Sequence, residues 1–231
     1  MIQNDNLILK DMTDYKPILA IETSDILCSG ALYFSDDKCF TSSVYMEHSH
    51  SQNLFEIIEF LFNTSGIKPD QIGSVAVSGG PGSFTGLRIG MSAAKGIASG
   101  AGVPMIVVPT FEAFAFQLSS LLSGEAFIIA NKVNKDEVYY SKFKIKSNNY
   151  IFVDELTILP IDEFIDRAVG IKVIGNACNI IDESQNTFSS PDAEYIAKWA
   201  LKFGKELFSN EYDYFEPMYI KNFKVLERDK K

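Results

Sequence analysis

The residues best suited to chemistry lie in one glycine-rich stretch, Ser78–Gly90, which reads SGGPGSFTGLRIG. It stands between an apolar run and a run of small residues, which predicts a strand, a loop and a helix. Glycines let the backbone approach a ligand closely, and the N-terminus of a helix attracts anions. The first interpretation is therefore an anion-binding loop, with contacts from Gly80, Gly82, Ser83 and Arg88. A Walker loop would need a lysine and a hydroxyl after Gly86, where Leu87 and Arg88 stand instead.

The same stretch also allows a packing interpretation. Gly86, Gly90, Ala94 and Ala98 recur every four residues on a helix predicted over 84–100, so a second helix can approach this face closely. The helix predicted over 51–64 is apolar on more than one side, although a helix that covers one sheet needs a single apolar face. We predict that both helices form a subunit interface through Leu54, Phe55, Ile57, Ile58, Leu61, Phe62, Gly86, Gly90, Ala94 and Ala98. The alternative is that the sheet and a third helix bury both sides.

The residue pattern contains no arrangement of side chains that is typical of a catalytic site. The two histidines, His48 and His50, have no third ligand beside them and are interpreted as polar turn residues. No GxSxG elbow exposes a serine nucleophile. We therefore predict neither catalytic residues nor a metal site.

Composition limits the class of protein. The chain has 231 residues, 46% of them hydrophobic, which is enough for one large domain or two lobes. No apolar run is long enough to span a membrane and the start lacks a signal-peptide pattern, which predicts a cytoplasmic protein without membrane contact. Cys28, Cys39 and Cys178 are expected to be reduced thiols. The net charge of -9 argues against a large nucleic-acid surface; for the basic tail, a solvated segment and a contact with RNA or a partner both stay open.

The order of the predicted elements indicates an α/β fold. Short apolar strands such as "PILAIE", "SVAV" and "PMIVV" alternate with the predicted helices. The hairpin Phe127–Phe143 matches Ile18–Phe34 in length and rhythm, with Asn131 at the position of Glu22. An internal duplication would explain this match, and a chance likeness of two hairpins stays open. We predict an N-terminal extension (1–16), two lobes with mixed sheets (17–108 and 109–223) and a basic tail (224–231).

Six stretches occur in the order found in one known family: "ILAIETSDILCSGALY", "HSQNL", "GGPGSFTGLRIGMSAAKGIA", "TFEAFA", "DEVYYSKF" and "EPMYIKNF". From Ile18 to Phe223 the chain resembles the TsaB (YeaZ) family, a sibling of the TsaD transferases that older names call glycoprotease-like. The resemblance implies two actin-like (RNase H-like) lobes. In actin-like ATPases an acidic residue near the first hairpin of each lobe orients a metal-bound nucleotide, a role open here to Glu22, Thr23 and Ser24. Asn131 departs from the family's usual Asp, which puts nucleotide binding in doubt.

The resemblance also implies a function. Family members are non-catalytic scaffold or activator subunits that dimerise with a TsaD-like transferase, which attaches a threonylcarbamoyl group to the tRNA adenosine next to the anticodon. The implied partners are that transferase, a TsaE-like ATPase and a second copy of the chain, with tRNA reached only through the complex. These partners would handle ATP and Mg²⁺, so no cofactor is expected here, although weak nucleotide binding stays open. The alternative is an actin-like nucleotide hydrolase or a metal-dependent, glycopeptidase-like enzyme.

Overall fold

The computed structural model describes residues 15–45, 50–122, 126–147, 149–184, 187–218 and 220, with the side chains of the first helix described from Asn53 onward. Two mixed sheets carry helices on their faces. The strands of the first sheet are β1 (Ile18–Glu22), β2 (Leu27–Ser35), β3 (Lys38–Tyr45), β4 (Ser74–Gly80) and β5 (Met105–Pro109). The helices between them are α1 (His50–Ser65) and α2 (Phe84–Ala101), with a 3₁₀ turn at Pro69–Gln71.

The remaining elements begin with α3 (Thr110–Leu121). The second sheet has β6 (Ala126–Lys132), β7 (Glu137–Ile145), β8 (Tyr150–Pro160) and β9 (Lys172–Ile174). Its helices are α4 (Ile161–Ala168) and the short α5 (Cys178–Ile181), and the chain continues through α6 (Ala193–Phe203) into 3₁₀ turns at Lys205–Leu207 and Tyr212–Tyr214.

The side chains of β1 alternate between the two faces of the first sheet, and both faces are apolar. The strand order is β3-β2-β1-β4-β5, with β1 antiparallel to β2 and parallel to β4. Leu19 and Ile21 pack with residues of α1 and α2, whereas Ile18 and Ala20 pack with residues of α6. Because successive side chains of a strand point to opposite faces, a central strand covered on both sides is apolar at nearly every position. This explains the continuous apolar run that ends at Glu22.

The second sheet repeats the topology of the first. Its order is β8-β7-β6-β9, in which β6 runs antiparallel to β7 and parallel to β9. Ile18 and Phe127 are the first residues of their strands in the parallel pairings, and Glu22 and Asn131 each follow four residues later (22 − 18 = 131 − 127). The predicted α/β fold with two mixed sheets flanked by helices is confirmed, and the equivalence of Glu22 with Asn131 is confirmed with it.

The end of the chain packs on the first sheet, although the predicted second lobe (109–223) includes these residues. Ile196, Ala197 and Ala200 of α6 pack against the face of the first sheet that α1 and α2 leave open. Further along, Met105 pairs with Ser209 as an isolated bridge. The physical reason is that a central sheet needs cover on both faces, and α1 and α2 supply only one. Residues 1–14 and 221–231 lie outside the described residues, so the predicted extension and tail are not addressed apart from Tyr15 and Lys16.

Two further observations concern membrane-spanning helices and the cysteines. Among the described residues, no helix is both long and apolar enough to cross a membrane. Cys28 and Cys178 are buried and Cys39 is half-buried, and no disulfide joins them within the described residues.

Candidate functional site

The glycine loop between β4 and α2 uses its backbone amides within the chain. Ser83 is the N-cap of α2: its hydroxyl accepts from Gly86 N at 3.2 Å and its carbonyl accepts from Leu87 N at 2.9 Å. Gly80 N donates to the Thr110 hydroxyl at 2.9 Å. An anion site of this kind needs amides that point at the ligand, and these donors already have partners. The phosphate-cradle interpretation therefore loses its main support.

Close packing explains why the loop contains a glycine at position 82. Ser83 N donates to Ser24 O at 2.6 Å, which brings the loop against the turn that follows β1. A Cβ atom at Gly82 would overlap the same Ser24 carbonyl oxygen. The backbone thus approaches another part of the chain as closely as it would approach a ligand.

The three residues at the end of β1 that were candidates for nucleotide contact are also engaged internally. Glu22 is fully buried; its Oε1 accepts from Ser24 N at 2.5 Å, while its Oε2 has no hydrogen-bond partner among the described residues. Burial, with a smaller contribution from the charge of Asp25, raises the pKa of Glu22 from 4.5 to about 7. The buried Thr23 hydroxyl donates to Gly86 O at 2.8 Å. These contacts tie the end of β1 to the start of α2.

Arg88 does not join this cluster. Its guanidinium lies over the ring of Phe84, 3.8 Å from the ring centre, on the exposed side of α2. The structure thus brings together Glu22, Thr23, Ser24, Gly82 and Ser83. Gly80 bonds to Thr110 instead, and the Arg88 guanidinium lies over Phe84.

Asn131, the second-lobe counterpart of Glu22, has a structural role of its own. Its Oδ1 accepts from Asn176 N at 2.9 Å and its Nδ2 donates to Ser189 O at 2.7 Å. A carboxylate in this place would lack the donor that Ser189 requires. The departure from the family's Asp therefore fits a residue that holds loops together.

Nine of the ten residues predicted for the subunit interface are buried within the first lobe, and the interface itself stays a prediction. The nine buried residues are Leu54, Ile57, Ile58, Leu61, Phe62, Gly86, Gly90, Ala94 and Ala98. The small-residue stripe of α2 faces its own sheet, since a Cβ atom on Gly90 would overlap the Thr23 hydroxyl oxygen and lie 3.5 Å from Val77 Cγ2. The physical reason is that a stripe of small residues permits close approach to any neighbour, and here the neighbour is β1 and β4.

Phe55 alone of the ten lies at the surface, with 56% of its area exposed. It borders a groove of about 520 Å³ between α1 and α2, lined by Phe55, Phe84, Thr85, Arg88, Ile89, Ser92 and Ala93. The residue pattern could have indicated this face, because Phe84 and Arg88 stand four apart, on a different side of α2 from Gly86 and Gly90. An exposed groove of aromatic and aliphatic groups with one cation is suited to binding another protein.

Metal ligation finds no support in the described residues, which contain no group of three His, Cys, Asp or Glu side chains placed to hold an ion. His48 lies outside them, and the His50 side chain is not described. The absence of a metal site therefore stays a prediction.

Comparison with known proteins points to one family. The family described as "TsaD: tRNA N6-adenosine threonylcarbamoyltransferase" matches residues 45–151. The "tRNA threonylcarbamoyladenosine biosynthesis protein TsaB" of Haemophilus influenzae is 32% identical over 54% of this chain and 52% of its own length. The Escherichia coli protein of the same description is 33% identical over 57% of this chain and 56% of its own length.

A solved structure shares the fold over a longer stretch. YeaZ from Pseudomonas aeruginosa superposes with a TM-score of 0.71 at 22% identity, covering 87% of this chain and 98% of that one. The matched region spans about half the length of the curated relatives, 52% and 56%. Taken together, the duplicated α/β lobes and the sequence matches make this chain similar to the TsaB (YeaZ) proteins.

Proposed function

We propose that this chain is a non-catalytic subunit for threonylcarbamoylation of the tRNA adenosine next to the anticodon. It pairs with a TsaD-like transferase through the groove between α1 and α2. The observation that carries this proposal is the exposed face around Phe55, Phe84 and Arg88, on helices whose other sides are already buried in the lobe. The TsaB relatives are named for biosynthesis of the same modified nucleoside.

The hydrogen bonds that the glycine loop makes within the chain support a non-catalytic role. The amides of Gly80, Ser83 and Gly86 donate to groups of the chain itself, and Asn131 binds backbone groups in place of an ion. The partners then supply the reaction: the transferase moves the threonylcarbamoyl group from its adenylate, and a TsaE-like ATPase handles ATP and Mg²⁺.

The net charge of -9 favours an indirect path to tRNA, because phosphate binding depends on clustered cations. We propose that tRNA is reached only through the transferase, and that a second copy of the chain occupies the same groove when the transferase is absent.

The test compares two exposed phenylalanines on α1. Phe55 borders the groove and Phe60 does not, although their exposed fractions are similar, at 56% and 54%. Phe55→Asp should weaken binding to the transferase by about 30-fold or more, the loss typical of an interface hot spot. Phe60→Asp is the matched control and should bind within about threefold of the unmodified chain.

Calorimetric titration with the purified transferase measures both variants, and light scattering of the chain alone measures self-association. Equal effects of the two substitutions, or no effect of Phe55→Asp, would rule out this groove as the binding face. A loss of self-association without loss of transferase binding would separate the two partners.

A further inference from the structure

A second cavity, of about 260 Å³, lies where the end of β4, the start of α3 and β8 meet. It shares no lining residue with the groove between α1 and α2. Its volume is below the roughly 300–1,000 Å³ of pockets that hold drug-sized ligands. A cavity of this size suits one side chain rather than a nucleotide.

The charged groups in this cavity are two carboxylates, Glu112 and Glu155, and no basic residue is among the described residues that line it. Neither carboxylate forms an ion pair within the described part of the chain. Burial raises the pKa of Glu112, and the charge of Glu155 raises it too. Glu112 is half-buried and Glu155 is exposed, and two like charges lining one cavity favour the arrival of a cation.

The Glu112 carboxylate is held in a fixed orientation. Its Oε2 accepts from the Tyr150 hydroxyl at 2.6 Å, and that hydroxyl accepts from Trp199 Nε1 at 2.9 Å. The chain of hydrogen bonds joins α3, β8 and α6. The described residues provide no second hydrogen-bond partner for the Glu112 carboxylate. One oxygen is thus anchored, and the other is left for a ligand.

The walls of the cavity select the kind of cation. Phe111, 2% exposed, and the half-buried Phe152 contribute aromatic groups, and Pro81 and Met218 contribute apolar ones. A guanidinium is planar, is weakly hydrated, stacks on aromatic faces and binds carboxylates with paired hydrogen bonds, whereas an ammonium is a strongly hydrated point charge.

We propose that this cavity binds an arginine side chain presented by a protein partner, with the guanidinium between Glu112 and Glu155 and the aliphatic stem along the apolar walls. The site is a second contact surface, separate from the groove of the proposed function, so each can fail without the other.

The test titrates the full chain with N-acetylarginine methylamide, and with the citrulline analogue, which has the same shape but no charge, while amide chemical shifts are recorded by NMR. We expect saturable binding of the arginine probe only, with shifts at residues around the cavity. Glu112→Gln and Glu155→Gln should each weaken binding about tenfold, the size of one charge-assisted hydrogen bond. Glu206→Gln, at an exposed position outside the cavity, is the matched control and should bind as the unmodified chain does.

Three results would overturn the proposal. The first is absence of saturable binding, and the second is equal binding of the citrulline probe. The third is binding that appears only after Lys221, Lys224, Arg228, Lys230 and Lys231 are all replaced by Gln in the full chain. That result would assign the cavity to the chain's own basic tail rather than to a partner.

Discussion

Gly90 offers the sharpest test of how α2 packs, because the two interpretations of the small-residue stripe predict different effects of Gly90→Ala. The added Cβ atom would overlap the Thr23 hydroxyl oxygen. Thr23 is fully buried and donates to Gly86 O at 2.8 Å, so it can move away only by giving up that hydrogen bond. If the stripe faced a partner instead, Gly90→Ala would stabilise the isolated chain.

The magnitude follows from three contributions. Overpacking of a buried site costs about 1–3 kcal/mol, and the hydrogen bond that Thr23 gives up adds about 1 kcal/mol. Alanine is favoured over glycine in a helix by about 1 kcal/mol, which offsets the lost hydrogen bond. Gly90→Ala should therefore lower the free energy of unfolding by about 1–3 kcal/mol. The matched control is Gly96→Ala on the same helix, where nothing lies within 4 Å of the Cβ position. It should raise the free energy of unfolding by about 0.5–1 kcal/mol.

Equilibrium urea unfolding, followed by the fluorescence of the buried, single Trp199, measures both changes. Thr23→Ala and the double variant complete a mutant cycle. Removal of the Thr23 side chain relieves the overlap, so the loss caused by Gly90→Ala should shrink by about 1 kcal/mol or more. The packing described for α2 is refuted if Gly90→Ala stabilises the chain as Gly96→Ala does, or if the cycle shows no coupling.

Buried polar groups give two more predictions. The pKa of Glu22 is about 7 in the folded chain against 4.5 for the free group, so the folded state binds one more proton between these values. The free energy of unfolding should therefore fall as pH rises through that window, by up to about 1.4 kcal/mol per pH unit. Glu22→Gln should flatten this slope in urea unfolding from about pH 5 to about pH 8, and an unchanged slope would assign the proton to another group. Tyr150→Phe should lower the free energy of unfolding by about 1–3 kcal/mol, because Glu112 and Trp199 both lose their hydrogen-bond partner. Thermal and urea unfolding measure this change. An unchanged free energy of unfolding would mean that neither hydrogen bond to Tyr150 stabilises the fold.

Elements were predictable from the sequence because their signals are local. The helices predicted over 51–64 and 84–100 run from His50 to Ser65 and from Phe84 to Ala101 in the structure. Apolar spacing and the Ser83 cap sufficed, since both act within a few residues of the chain. The matching hairpins likewise predicted the repeated topology and the equivalence of Glu22 with Asn131.

Assignments that depend on distant neighbours were less predictable. The return of α6 to the first sheet joins Ile18 with Ile196, far apart along the chain, and no local pattern records it. The second cavity depends on the same kind of information, because Glu112 and Glu155 come from α3 and β8.

The amino-acid sequence by itself determined the strands, the helices, their duplication and the resemblance to TsaB proteins, because periodicity, capping and motif order are properties of the chain. Only the tertiary structure decided what covers each helical face. A stripe of small residues such as Gly86 and Gly90 indicates that another element packs closely against the helix. Packing against the chain's own sheet and packing against a partner require the same small residues, so the stripe does not distinguish between them. Folding brought Thr23 to Gly90, so this side of α2 is covered by the chain's own first sheet.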